Sequence, residues 1–313
     1  MTQLRSPHLL GLDGLTREEI ALYLDTARTF REILDRPIKR VPTLQGKTVV
    51  NLFYEPSTRT RISFELAEKR MSADIVNFSA STSSVKKGET LIDTVKNIEA
   101  MKIDMVIVRH SSPGAAHLLS RVLDANIINA GDGGHEHPTQ ALLDMFTIRE
   151  KLGSLEGKTI GLIGDISHSR VAMSNILGLK TMGARVIVCG PSTLIPRELE
   201  RLGVEIYHNI DEVVPMVDVM NILRIQLERQ ESGLFPSLRE YHNYFGITRE
   251  RLERATRPIL IMHPGPMNRG LEISSNVADS EHSVILEQVT NGIAMRMGVL
   301  YLLAGGQSEI REN

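Results

Sequence analysis

The chain has 313 residues, 42% hydrophobic and 24% charged, an ordinary globular composition whose length points to two domains of about 150 residues each. A formal net charge of −2 excludes a general nucleic-acid or membrane-surface binder, so arginines matter here by position and not by number. A single cysteine, Cys189, excludes an intrachain disulfide and a cysteine-built zinc site. No apolar run approaches a membrane span and the first eight residues carry no leader core, so the expected location is the cytoplasm.

In chain order, apolar residues at Leu12, Leu15, Ile20, Leu24, Ala27, Phe30 and Ile33, with a Thr16/Glu19 capping box, predict a helix over 17–35. The apolar run 48–54 reads as a buried strand. After Glu55-Pro56, residues Ile62, Phe64, Leu66, Ala67 and Met71 have the spacing of a helix packed on one side. Ser57-Thr58-Arg59-Thr60-Arg61 therefore lies where a strand hands over to a helix. The first N–H groups of a helix lack internal partners, and its dipole favours an anion there. Hydroxyls and a guanidinium fork complete a phosphate cradle. The bland alternative is an N-cap at Ser57 or Thr58 with both arginines solvated. The Gly-x-x-x-x-Gly-Lys frame of a P-loop is missing.

Further on, the pattern predicts a strand over 74–78, a Ser/Thr-rich basic loop over 79–90 and a helix over 91–101. A strand over 104–109, a helix over 114–124, a strand over 126–129 and a helix over 139–151 follow. Then the pattern restarts, because Leu44-Gln45-Gly46-Lys47-Thr48-Val49 is echoed by Leu155-Glu156-Gly157-Lys158-Thr159-Ile160. Strands are expected near 158–164, 185–189, 204–207, 217–222 and 258–262, and a last apolar helix over 284–305. Alternating strands and helices predict an α/β fold of two domains, each a parallel sheet flanked by helices. The expected boundaries are 1–140 for the first domain and 149–283 for the second. Gly161 and Gly164 lack the spacing of a dinucleotide fingerprint.

In open parallel sheets, ligands collect at the carboxyl ends of strands. Each strong polar cluster here follows a predicted strand: Ser57–Arg61, Arg109, His135–Gln140, Asp165–Arg170, Arg224–Gln226 and His263–Pro266. That regularity implies an active site in the cleft between the two domains, lined by Arg59, Arg109, Arg170 and Arg224. Four guanidiniums in one cleft require anions to balance them; for any one of them the alternative is a surface ion pair. His135 and His137 lack the i, i+4 spacing of a helical metal pair and have no cysteine nearby, so neither a metal nor a cofactor is expected. His137 reads better as a neutral imidazole aimed at a carbonyl oxygen, with Gln140 beside it; a purely structural histidine is the alternative.

These motifs, together with Lys86-Lys87-Gly88-Glu89-Thr90 and His263-Pro264-Gly265-Pro266, occur in an order that resembles the catalytic chains of the aspartate/ornithine carbamoyltransferase family. The resemblance implies transfer of a carbamoyl group from carbamoyl phosphate to L-aspartate, in pyrimidine biosynthesis. It places Ser57, Thr58, Arg59 and Thr60 on the phosphate with Arg109 beside them. It places Thr60, Arg109 and His137 on the carbamoyl oxygen, and Gln140 with the backbone carbonyls of Gly265 and Pro266 on the carbamoyl amide. Arg170, Arg224 and Gln226 would hold aspartate. Ser83 and Lys87 would enter a neighbouring subunit's site, which implies a homotrimer with shared sites, and the helix over 284–305 would pack back on the first domain. Regulatory chains or dihydroorotase are further partners the resemblance allows.

Ornithine enzymes of the family carry His-Cys-Leu-Pro and Ser-Met-Gly segments. Here the first is His263-Pro264-Gly265-Pro266 and the second is absent, so aspartate is favoured. Another amino-acid acceptor, or a non-catalytic assembly subunit, are the alternatives. No nucleophilic triad is evident, and the mechanism expected is direct attack of a neutral amine on the carbamoyl carbon.

Overall fold

The computed structural model describes residues 3–79, 90–226 and 237–306. The chain divides into two compact units. One runs to Leu143 and resumes at Thr290; the other spans Asp144–Val289.

The first unit opens with α1 (Arg17–Leu34), which starts on the expected capping box: Glu19 N–H donates to Thr16 Oγ1 at 3.2 Å, and Thr16 N–H donates to the Glu19 carboxylate at 2.9 Å. Its buried stripe of Ile20, Leu24, Ala27 and Phe30 faces the core. Then come β1 (Thr48–Phe53), α2 (Thr58–Arg70), β2 (Asp74–Ser79), α3 (Leu91–Glu99), β3 (Met105–His110), α4 (Ala115–Ser120), β4 (Asn126–Asp132) and the start of α5 (Pro138–Leu152). The strands pair in the order β2-β1-β3-β4, all parallel. β1 and β3 are buried along nearly their whole length, which explains why their sequences read as continuous apolar runs and not as alternation. Leu52, Val106, Val108, Ala116, Leu119 and Ile127 make the core on one face. The edge of β4 is covered by the chain before α1: Leu9 bridges Ile128 in parallel, donating to Ile127 O and accepting from Asn129 N–H.

The second unit contains β5 (Thr159–Ile163), α6 (Arg170–Thr181), β6 (Arg185–Cys189), β7 (Glu205–Tyr207), α7 (Ile210–Val213) and β8 (Val219–Ile222). It continues with α8 (Leu238–Phe245), α9 (Arg249–Leu252), β9 (Leu260–Met262), α10 (Ser275–Ala278) and the start of α11 (Ile285–Leu303). Its sheet is again parallel, in the order β7-β6-β5-β8-β9. Ile163, Ile187, Cys189, Met220, Ile222 and Ile261 form its centre. Burial raises the Cys189 thiol to about 12, so it behaves as a small hydrophobe. The later part of α11 belongs to the first unit, where Tyr301 meets Phe30 edge-on at 5.6 Å and Arg296 lies 5.0 Å from the centre of the Phe64 ring.

Two expected elements have different limits. The helix expected over 114–124 is only Ala115–Ser120, because the N–H groups of Asp124 and Ala125 turn aside to the Glu99 carboxylate, at 2.6 and 3.2 Å. The strand expected over 126–129 continues to Asp132, which pairs with His110 beyond an irregularity in the ladder. Among the described residues, no helix is long and apolar enough to cross a membrane.

Candidate active site

Since each ladder is parallel, the carboxyl ends of its strands share one edge. In the first unit three neighbouring strands, β1, β3 and β4, carry the candidate residues. Ser57 is the N-cap of α2, but its side chain makes no capping hydrogen bond. The first N–H groups of that helix are therefore not closed by the cap residue, which suits an anion receptor. Thr58 and Arg59 are exposed and Thr60 is buried. Arg61 pairs with Glu65 one turn on, at 2.9 Å, so it belongs to the helix surface.

Arg109, at the end of β3, is 9% exposed. It is anchored from two sides: Nη1 donates to Ala130 O at 3.2 Å, and Nε stands 3.7 Å from the Glu55 carboxylate. Glu55 was not singled out by sequence reasoning, although an acid directly before Pro56 in a cationic stretch was a visible signal. Arg109 pairs with Phe53 in the ladder, and Tyr54 N–H donates to its carbonyl at 2.9 Å. This fixes the end of β3 beside the Glu55–Ser57 turn.

The turn from β4 to α5 is built around Asp132. Its Oδ1 accepts from Asn129 Nδ2 at 2.8 Å and from Glu136 N–H at 3.2 Å; its Oδ2 accepts from Gly114 N–H at 2.7 Å. Gly133 has φ 49, and a Cβ there would lie 2.7 Å from the Pro113 backbone nitrogen, so only glycine fits this corner. Glu136 is buried and takes the N–H groups of Leu12 and Asp13 at 2.7 and 3.2 Å. His137 is 5% exposed, and its carbonyl accepts from Gln140 and Ala141 N–H at the start of α5. Within the His135-Glu136-His137 run, the Glu136 side chain is thus turned to the chain before α1.

A buried acid lies beneath this rim. Glu68 of α2 is fully buried and accepts from Asn51 Nδ2 at 2.9 Å. Burial, only partly opposed by that hydrogen bond, raises its carboxyl to about 8, so at neutral pH it is protonated.

In the second unit the candidates again follow neighbouring strands, β5, β8 and β9. Arg170 is the first residue of α6 and is 4% exposed; Ser169 caps that helix by accepting from Ala172 N–H at 3.1 Å. Asp165, buried before it, pairs with His168 Nδ1 at 2.8 Å. Arg224 and Gln226 follow β8 and are half-buried, with Gln226 Nε2 donating to His168 O at 3.0 Å. The loops after β5 and β8 are tied together in this way.

The segment after β9 rests on a buried polar network that sequence reasoning did not find. His263 N–H donates to Gln288 Oε1 at 2.9 Å, and Gln288 Nε2 donates to Asp144 Oδ1 at 2.8 Å. Asn175 and Asn221 donate to the other Asp144 oxygen at 2.9 and 3.1 Å. All five side chains are at most 5% exposed. Gly265 N–H donates to His263 Nδ1 at 2.7 Å, so the ring proton lies on Nε2, which faces Glu272 at 3.2 Å. Gly265 has φ 62 and precedes a cis bond to Pro266. The Gly265 and Pro266 carbonyls are thereby set by an imidazole braced at every polar atom. The signal available in sequence was Asp144 itself, a lone acid in the apolar run Ala141-Leu142-Leu143-Asp144-Met145-Phe146.

Ser83 and Lys87 lie outside the described residues. The remaining candidates fall into two groups, one on each sheet. Fold and site together define a two-unit parallel α/β protein with a cationic, amide-rich strand-end rim on each sheet.

Comparison with known proteins narrows that class. Residues 7–150 match the carbamoyl-phosphate-binding domain of the aspartate/ornithine carbamoyltransferases, and residues 156–303 match their Asp/Orn-binding domain. The chain is 60% identical over 304 residues to the aspartate carbamoyltransferase catalytic subunit of Gemmatimonas aurantiaca, covering 97% of this chain and 95% of that one. It is 59% identical over 307 residues to the catalytic subunit from Cytophaga hutchinsonii, covering 98% and 100%. Among solved structures, it is similar to Trypanosoma cruzi aspartate transcarbamoylase in complex with N-(phosphonacetyl)-L-aspartic acid. There the TM-score is 0.85 at 32% identity, over 94% of each chain. The chain belongs to the aspartate/ornithine carbamoyltransferase family.

Proposed function

We propose that this chain transfers the carbamoyl group of carbamoyl phosphate to the amine of L-aspartate, giving N-carbamoyl-L-aspartate and phosphate, in de novo pyrimidine biosynthesis. The observation that carries the reading is identity of about 60% across nearly the whole chain with catalytic subunits of that name, with the anion-binding rims intact. Ser57, Thr58, Arg59 and Thr60 hold the phosphate at the open start of α2. Thr60, Arg109 and His137 draw negative charge onto the carbamoyl oxygen, and Gln140 with the Gly265 and Pro266 carbonyls orients the carbamoyl amide. Arg170, Arg224 and Gln226 bind the aspartate carboxylates.

The chemistry needs no covalent enzyme intermediate. The neutral amine attacks the carbamoyl carbon, a C–N bond forms, and the tetrahedral species expels phosphate by breaking the C–O bond. The leaving phosphate takes the amine proton. The protein contributes orientation and donors aimed at the developing oxyanion. Carbamoyl phosphate binds first, and aspartate follows. The cytoplasm is the proposed setting.

Ser83 and Lys87 are assigned to the site of a neighbouring subunit in a homotrimer, with regulatory chains or dihydroorotase as further partners. Mixing an Arg59→Ala preparation with a Lys87→Ala preparation tests the sharing. Recovery of activity on subunit exchange supports it, and none on confirmed exchange removes it. The reaction itself is tested by phosphate release from carbamoyl phosphate with aspartate and, separately, with ornithine. Release with aspartate alone is expected; turnover with ornithine instead would overturn the acceptor.

A further inference from the structure

We propose that His117, Asp132 and His135 form a binding site for a divalent transition-metal ion of the zinc type. One ligand atom from each lies within 4.8 Å of the others. The two imidazoles meet edge to face at 5.6 Å, and His135 Nδ1 stands 3.2 Å from both Asp132 oxygens. In a tetrahedral shell with bonds of about 2.0–2.1 Å, neighbouring ligand atoms are about 3.4 Å apart. The Asp132–His135 edge has about that length already, and the His117 ligand nitrogen lies within 4.8 Å of both.

The chemistry of each residue fits. A carboxylate offers about four lone-pair sites. At Asp132, three are taken by Asn129, Gly114 and Glu136, which leaves one directed at His135 and available to an ion. Those same bonds hold the oxygen in place, the kind of support that metal-binding carboxylates require. His117 lies on α4; its carbonyl accepts from Ser120 Oγ at 3.0 Å, while its imidazole, among the described residues, meets only the His135 ring. Neither Glu136, which is committed to Leu12 and Asp13, nor His8, whose Nδ1 accepts from Ile127 N–H at 3.1 Å, competes for the role. Two imidazoles and one carboxylate favour zinc, nickel or copper over magnesium.

Both imidazoles line a cavity of about 370 Å³, which leaves room for a solvent ligand at the fourth position. An ion here would cross-link α4 to the turn that leads into His137. The inference rests on the first unit alone and stands whether or not the acceptor is aspartate.

The test is calorimetric titration of the metal-stripped full-length protein with Zn²⁺, with Mg²⁺ as control, at pH 7.5 and 5.5. One zinc per chain is expected, with no magnesium binding, and with weaker binding at the lower pH because protons compete with the metal for its ligands. His117→Ala and His135→Ala should each weaken zinc binding at least tenfold, while His282→Ala, an exposed histidine of the other unit, should leave it unchanged. Equal affinity in all variants, equal loss in all three, or no zinc binding would overturn the site. Should either histidine variant misfold, zinc-edge X-ray absorption of the unaltered protein decides alone: a two-imidazole shell supports the site, and fewer overturns it.

Discussion

The two sheets present their candidate residues in contrasting ways. On the first, the groups proposed to hold phosphate are contiguous in sequence and sit on an open helix start whose cap residue makes no side-chain bond. On the second, the residues come from three separate loops, and buried amides and acids hold those loops. One rim is built from a motif and kept receptive. The other is built from scattered positions and kept in place by a scaffold. Substitutions on the first should act on the chemistry with little effect on folding; substitutions under the second should act on folding and acceptor binding together.

The largest effect is expected for Arg59→Ala. Turnover should fall about a thousandfold, near 4 kcal/mol, with the unfolding midpoint unchanged, as steady-state kinetics and calorimetry would show. Activity within about tenfold of the parent would erase the cradle assignment. Next is Gln288→Ala, which removes the Gln288 bonds to Asp144 Oδ1 and to the His263 N–H. It should lower stability by about 2–3 kcal/mol in a denaturant titration and raise the KM for carbamoyl phosphate as well as that for aspartate. A stability loss with both KM values unmoved would confine the network to folding.

A smaller effect concerns Glu68. Its folded carboxyl sits near 8 against an ordinary 4.5. A raised folded value gives stability that is fully present below 4.5 and lost as pH rises through 8. The parent should thus weaken between pH 5 and pH 8, and Glu68→Gln should flatten that slope, gaining about 1–3 kcal/mol at the alkaline end. A parallel slope in both proteins would mean that Glu68 ionises freely. The smallest effect is at Glu19. Burial pushes its carboxyl up, but Arg5 and the Thr16 N–H outweigh it and hold it at about 2. Here the stability is present above 4.5 and lost as pH falls through 2, so Arg5→Ala should move the acid-unfolding midpoint upward. An unmoved midpoint would show that the largely exposed guanidinium contributes nothing.

The same contrast explains what could be read from sequence. The placement of Ser57–Thr60, Arg109 and His137 was legible because a parallel sheet brings the carboxyl ends of neighbouring strands to one edge, and the runs 48–53 and 105–108 betray two of those strands. The α1 capping box was legible because it is local. The Asp144–Gln288–His263 network was not, since its members are separated by up to 144 positions and meet only through tertiary packing. Glu68 looked like any surface acid of an amphipathic helix until Asn51 was found against it. The early end of α4 depended on Glu99, which no local pattern links to Asp124.

The short bridge at Leu9 has a consequence for solution behaviour. It occupies hydrogen-bonding positions on the outer side of β4, a border that would otherwise be a template for pairing with another molecule. Chains trimmed past this point would lose their guard against self-association, and light scattering of such trimmed protein would register sticky, concentration-dependent growth.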